Sequence, residues 1–157
     1  MSETFNLSQL EAMWVLGLLL GEELPEHAAS ALEEGFDSEA ILQLSICSPN
    51  EAEQIHQLFE RILAEGGGGK MSKVDALKHY AKQISTSILS DKISPLEGAK
   101  LIWRATINSQ EREFHELDSF IYAASEMEDR PEDKEFFEKA IREEAQRWEA
   151  TDVSRNL

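Results

Sequence analysis

Four histidines, one cysteine, a glycine run and several acid pairs are the residues of this 157-residue chain whose types and spacing could do chemistry. His56 and Glu60 are four apart, as are Asp75 and His79, so on a helix each pair would put two ligand-type side chains on one face. Glu111 and His115 repeat the spacing. A metal centre needs at least three protein ligands, these pairs fall on different segments, and a chain with 31 acids produces them by chance. All three pairs are read as facing solvent, and no metal or cofactor is expected. Cys47 follows Ile46 in a run that otherwise packs; it reads as a small buried hydrophobe, and a lone cysteine closes no internal disulfide. The glycines at 66–69 are followed by Lys70 and Ser72, but a phosphate loop needs the lysine and the hydroxyl adjacent and a strand ahead of them. Glu22-Glu23, Glu33-Glu34 and Glu143-Glu144 are neighbours in sequence, so on a helix they diverge by about 100° and do not share a proton. The chain is expected not to be an enzyme, with no catalytic residue.

The elements that would position any site are written as helices. Ser8 with Glu11, Ser48 with Glu51, Ser72 with Asp75 and Ser94 with Glu97 fit the capping box, in which serine and acid each satisfy an amide of the first turn. Pro49 and Pro95 directly follow two of these serines, at the first helical position, where a missing N–H costs nothing. Pro25 and Pro131 suggest two further starts, and Asp37 or Ser38 caps a short helix ending near Cys47. Between the starts the apolar residues recur at helical spacing. Val74, Leu77, Ala81, Ile84 and Ile88 form one stripe; Ala52, Ile55, Phe59 and Ile62 form another, as do Phe114, Leu117, Ile121 and Ala124. Phe137, Ile141 and Trp148 mark the last helix. Residues 12–20 are apolar almost all round, which predicts a helix in the middle of the bundle with neighbours on several sides. Trp14, Trp103 and Trp148 read as core anchors. Strand alternation and hairpin turns are lacking. The predicted fold is all-α, one domain over 1–157 forming a compact bundle of six to eight helices. A Gly-rich flexible connector near residues 66–69 joins an acidic helical segment, 1–65, to a helical segment, 70–157.

Charge carries the functional reading. Hydrophobic residues at 41% and charged ones at 29% match soluble globular chains, and the formal charge is −16. Such a charge repels nucleic acid and anionic membrane surfaces, so neither is an expected partner. The apolar run at 12–20 is shorter than the roughly 20 residues a membrane helix needs, and no basic residue precedes it as in a secretory signal, so the expected compartment is the cytoplasm. Residues 1–65 hold thirteen acids and one base, Arg61, for a net −12, while residues 70–157 hold eighteen acids and fourteen bases, for a net −4. Glu22, Glu23, Glu26, Glu33, Glu34, Asp37 and Glu39 lie together with no base among them. A one-sign field of this kind speeds encounter with a basic protein, so these seven are the candidate partner-binding residues.

A resemblance adds to this reading. Ile93, Ser94, Pro95, Glu97, Gly98, Ala99, Ile102 and Trp103, then Leu117-Asp118-Ser119-Phe120 and Glu126-Met127-Glu128-Asp129, resemble a group of small all-helical bacterial proteins of uncharacterised activity, most clearly over 74–148. Small acidic helical chains of this look are also similar to immunity proteins, which neutralise cationic toxins. That likeness implies a non-enzymatic protein whose acidic face occupies a basic toxin. The alternative is a structural or regulatory bundle that associates with itself, as a homodimer, through an exposed apolar helix face, with the charge serving solubility.

Overall fold

The computed structural model describes residues 6–153. Among them are eight α-helices, two single 3-10 turns and no strand, so the fold is all-α, as the periodicity predicts. The chain divides into two compact units between Met71 and Ser72, two residues beyond the glycine run.

The first unit holds α1 (Leu7–Val15), α2 (Leu24–Glu33), α3 (Glu39–Ser45) and α4 (Ala52–Glu65). Its core gathers Leu10 and Leu24 with Ala31, Leu44, Ile55 and Phe59. Helix α2 packs on α3 and α3 on α4, while the 3-10 turn Gly21–Glu23 that leads into α2 also rests on α4. Ser38 caps α3 as predicted, its Oγ accepting from the Ile41 N–H at 3.2 Å. Helix α1 starts differently: Asn6 is the cap, accepting from the Gln9 N–H at 3.1 Å, and Ser8 lies inside the helix. The box at Ser48 is only half formed. Its N–H donates to Glu51 Oε1 at 2.8 Å, but its hydroxyl meets Asn50, and the helix begins only at Ala52, with Pro49 in the turn before it.

Residues 12–20 do not form one central helix. At Gly17 the backbone turns left-handed, φ +73°, and the Gly17 and Leu18 N–H groups close back on the carbonyls of Trp14 and Met13 at 3.1 and 2.8 Å. This paired closure satisfies carbonyls that a continuing helix would have used, and glycine adopts it without the penalty a Cβ brings. The helix therefore stops at Val15. Leu19 turns inward and Leu20 is left 56% exposed. Trp14 is only half-buried, its ring 5.0 Å from that of Phe59, so it is a rim residue of this core rather than an anchor inside it.

The glycine run is a second stop of the same kind. Gly67 and Gly68 donate to the carbonyls of Ala64 and Leu63 at 3.1 and 2.7 Å, ending α4. The chain then wraps the Glu11 carboxylate, whose Oε2 accepts from the N–H groups of Gly69 at 2.8 Å and Met71 at 3.2 Å. Glu11 is 5% exposed. A side chain at Gly68 would push this carboxylate aside, because a Cβ there would lie 2.6 Å from Glu11 Oε1. The run is thus an anchored connector rather than a free one, and Glu11 serves it instead of capping α1.

The second unit is a ring of four helices, α5 (Lys73–Leu89), α6 (Pro95–Ser109), α7 (Asp118–Asp129) and α8 (Lys134–Ala150), each packed on the next and α8 on α5. Ser72 and Ser94 cap α5 and α6 as predicted, each accepting the N–H three residues on at 3.1 Å. Helices α5 and α8 run antiparallel, since Lys82 Nζ reaches the Thr151 carbonyl and Arg142 reaches the Ile88 carbonyl and Asp91. The stripe Leu77, Ala81, Ile84, Ile88 is buried as its spacing predicts. Gly98 explains how α6 comes so near it: a Cβ there would collide with Cδ1 and Cγ1 of the fully buried Ile88. The α7 stripe is shifted from the predicted one. Phe114 lies ahead of the helix, and the buried set is Leu117, Phe120, Ala123, Ala124 and Met127. Of the two tryptophans here, Trp148 is buried and Trp103 half-buried.

Tyr80 is buried on α5, and burial pushes its phenol up from the ordinary value, against a smaller downward pull from Arg104. A raised folded-state pKa means that the folded chain holds the proton more tightly. Its stability contribution is complete below the unfolded value near 10 and is lost as pH rises through the folded one. Stability of this unit is expected to fall above about pH 10, and Tyr80→Phe should flatten that fall. Urea unfolding at pH 8 and in the alkaline range, followed by circular dichroism, measures it; the same slope in both proteins would refute it.

Candidate functional site

The seven predicted partner-binding residues all lie in the first unit, around α2. Leu24, Pro25, Ala28 and Ala31 turn that helix's buried side inward. Glu26 and Glu33 are seven apart, two full turns, and stand on the opposite, exposed side. Glu22 and Glu23 are exposed on the 3-10 turn before the helix. At its other end, Glu34 is half-buried in the α2 cap, Asp37 is exposed in the loop, and Glu39 opens α3 and accepts from Gln43 Nε2 at 3.1 Å. The fold therefore places two acidic groups at the ends of α2, about 15 Å apart for ten helical residues, and bridges them with Glu26 and Glu33.

The first unit itself holds few cations to neutralise this face. Residues 1–71 contain only Arg61 and Lys70 as bases, and Arg61 Nε is engaged by Glu65 at 3.4 Å. Among the described residues, Glu22, Glu23, Glu26, Glu33 and Asp37 enter no ion pair. The second unit differs: Lys78 meets Glu116, Lys100 meets Glu128, Arg130 meets Glu126, Arg142 meets Asp91 and Arg147 meets Glu144.

Apolar side chains interleave with the acids, and the charge pattern alone gives no hint of them. Leu20 stands just ahead of Glu22, and Phe36, 44% exposed, separates Glu34 from Asp37. Leu42 and Ile46 are one turn apart on the side of α3 away from its buried Ala40, Ile41 and Leu44, and Ile46 is 78% exposed. The readable signal for this pair was the four-residue spacing of two large apolar residues off the buried stripe of a short helix.

The histidine pairs part company. His56 meets Glu60 at 2.8 Å on the exposed side of α4, and its ring lies 5.2 Å from that of Trp14. His79, expected at the surface, is buried within α5. Glu111 and His115 are not on a helix at all; His115 turns to Asp118 at 3.2 Å. Among the described residues no three of His, Cys, Asp and Glu gather as metal ligands, and no helix is long and apolar enough to cross a membrane. Cys47 is half-buried, with Sγ 3.4 Å from the Gln43 carbonyl. Desolvation first and then the Glu51 charge raise its pKa, so the thiol stays protonated at neutral pH and is a poor nucleophile. Compared with protein families, characterised proteins and solved structures, the chain matches none of them.

Proposed function

We propose that this chain is a non-enzymatic binding protein whose first unit docks through the acidic α2 face onto a positively charged protein surface. The observation that carries the reading is the set of exposed carboxylates, Glu22, Glu23, Glu26, Glu33 and Asp37, without ion-pair partners among the described residues and with Leu20 and Phe36 exposed between them. Carboxylates of this kind steer a basic partner in and fix its orientation, while neighbouring apolar side chains supply the area that holds it. An immunity protein that covers the basic surface of a toxin is the form of this function that the sequence resemblance favours.

The test compares the tagged chain with its Glu33→Lys/Glu34→Lys/Asp37→Lys variant, both immobilised, for capture of polylysine over a range of salt concentrations. All three residues are at least partly solvent-exposed, so helicity by circular dichroism should be unchanged. The triple reversal is expected to weaken capture by about tenfold or more, with a matching loss of salt dependence. Equal capture by the two proteins would refute the reading. Exposed Leu42 and Ile46 favour self-association as the second reading. A dimer seen by light scattering at low concentration, and dispersed by Ile46→Ser, would support it.

A further inference from the structure

The second unit carries a groove that the acidic face of the first does not explain. It runs between α7 and α8, with a volume of about 420 Å³. Phe136, Ala140, Glu143 and Arg147 follow one another along a single face of α8, and Tyr122 contributes from α7. Tyr122 is 59% and Phe136 68% exposed, although large aromatic side chains normally supply cores. Both rings pack edge-on against the buried Phe137, at 6.3 and 5.1 Å, and together form one wall of the groove.

The charges around the groove decide what fits it. Arg130 lies over the Phe137 ring at 5.2 Å and is bound to Glu126 at 2.9 Å. Arg147 is bound through two nitrogens to Glu144, at 2.8 and 3.0 Å. Both cations are thus neutralised within the chain. Glu143 is exposed and enters no ion pair among the described residues, which leaves the groove with one uncompensated carboxylate. It lies seven residues from Phe136, about 10 Å along the helix, with small Ala140 between. We propose that this groove binds a partner segment bearing a large apolar side chain and, one to two helical turns away, an arginine or lysine. The apolar side chain lies against Tyr122 and Phe136 across Ala140, and the cation reaches Glu143. A second copy of the chain is a poor occupant: it carries the same formal charge of −16, and the two arginines beside its own groove, Arg130 and Arg147, are already engaged.

The probe is a fluorescein-labelled amphipathic peptide of leucine and arginine at helical spacing, with a matched peptide in which glutamate replaces arginine, titrated into the full chain by fluorescence anisotropy. Saturable binding of the arginine peptide and none of the glutamate peptide is expected. Phe136→Ser and Tyr122→Ser should each weaken binding about tenfold, and Glu143→Lys as much. The Glu33→Lys/Glu34→Lys/Asp37→Lys variant should bind as the parent does. Because Glu143 is an exposed helix residue, its variant keeps the test meaningful should either aromatic variant fold poorly. Binding unaffected by the groove variants, loss that follows the α2 reversal instead, equal affinity for the glutamate peptide, or a homodimer dispersed by Phe136→Ser would each overturn the proposal.

Discussion

Phe59→Ala is expected to destabilise the first unit by about 3–5 kcal/mol, the range for removing a buried phenyl ring from a packed core. Phe59 is 1% exposed on α4, belongs to the cluster that joins α2, α3 and α4, and supports the Trp14 ring. Its core companions Leu24, Leu44 and Ile55 are themselves buried, so the cavity left behind can collapse only in part. A unit of about 70 residues has only a few kcal/mol of net stability to lose, so the substitution should leave it largely unfolded at 37 °C. Urea unfolding and amide hydrogen exchange across α4 provide the measurement. Phe136→Ala is the internal control: at 68% exposure it should change stability by about 0.5 kcal/mol or less. A loss below about 1 kcal/mol for Phe59→Ala would mean that this core is not organised as described.

Glu11→Ala is expected to cost about 2–3 kcal/mol, since it removes a buried carboxylate that accepts from the part-buried Gly69 and Met71 N–H groups, and hydrogen bonds to a charged group are worth about 1.5–3 kcal/mol before water replaces part of them. Glu11→Gln should cost about 1 kcal/mol, because its amide oxygen still accepts but without the charge that strengthens these bonds. Hydrogen exchange distinguishes this from general destabilisation: protection at the Gly69 and Met71 amides should collapse in Glu11→Ala while amides in the middle of α4 lose far less. Uniform loss across the unit, or equal effects of alanine and glutamine, would contradict the anchoring role. Gly68→Ala offers an independent approach to the same contact, pressing a methyl group against Glu11 Oε1.

Most of what the sequence made legible is local in origin. Ser38, Ser72 and Ser94 each hydrogen-bond a backbone N–H only three residues away, so the rest of the molecule is not needed to recognise them. The same holds for the Leu77-to-Ile88 stripe, whose burial follows from spacing alone once any partner is present. Where capping chemistry was ambiguous, the reading slipped by a residue or two. Asn6 and Ser8 are both good caps, and Asn6 holds the position. The signal overlooked in residues 12–20 was Gly17. Nine residues so apolar look like one buried helix, yet a single glycine at the stop position closed the helix at Val15 and left Leu20 outside.

The acidic face was legible in composition, because seven acids without a base between residues 22 and 39 cannot neutralise one another. Its apolar companions were not, since the charge pattern does not mark Phe36, Leu42 and Ile46, and which apolar residues stay outside depends on the cover that neighbouring elements give.

From residue order alone follow the all-helical class, the caps at Ser38, Ser72 and Ser94 and the surplus of negative charge in the first 65 residues, because each depends on neighbours within a turn or on a simple count. The tertiary structure decided which apolar residues find a partner. Glu11 became a buried acceptor for amides 58 and 60 positions away, while Tyr122 and Phe136 were left facing outward. Periodicity tells a helix which side to bury, but only the neighbouring helices determine how far around that side the cover extends.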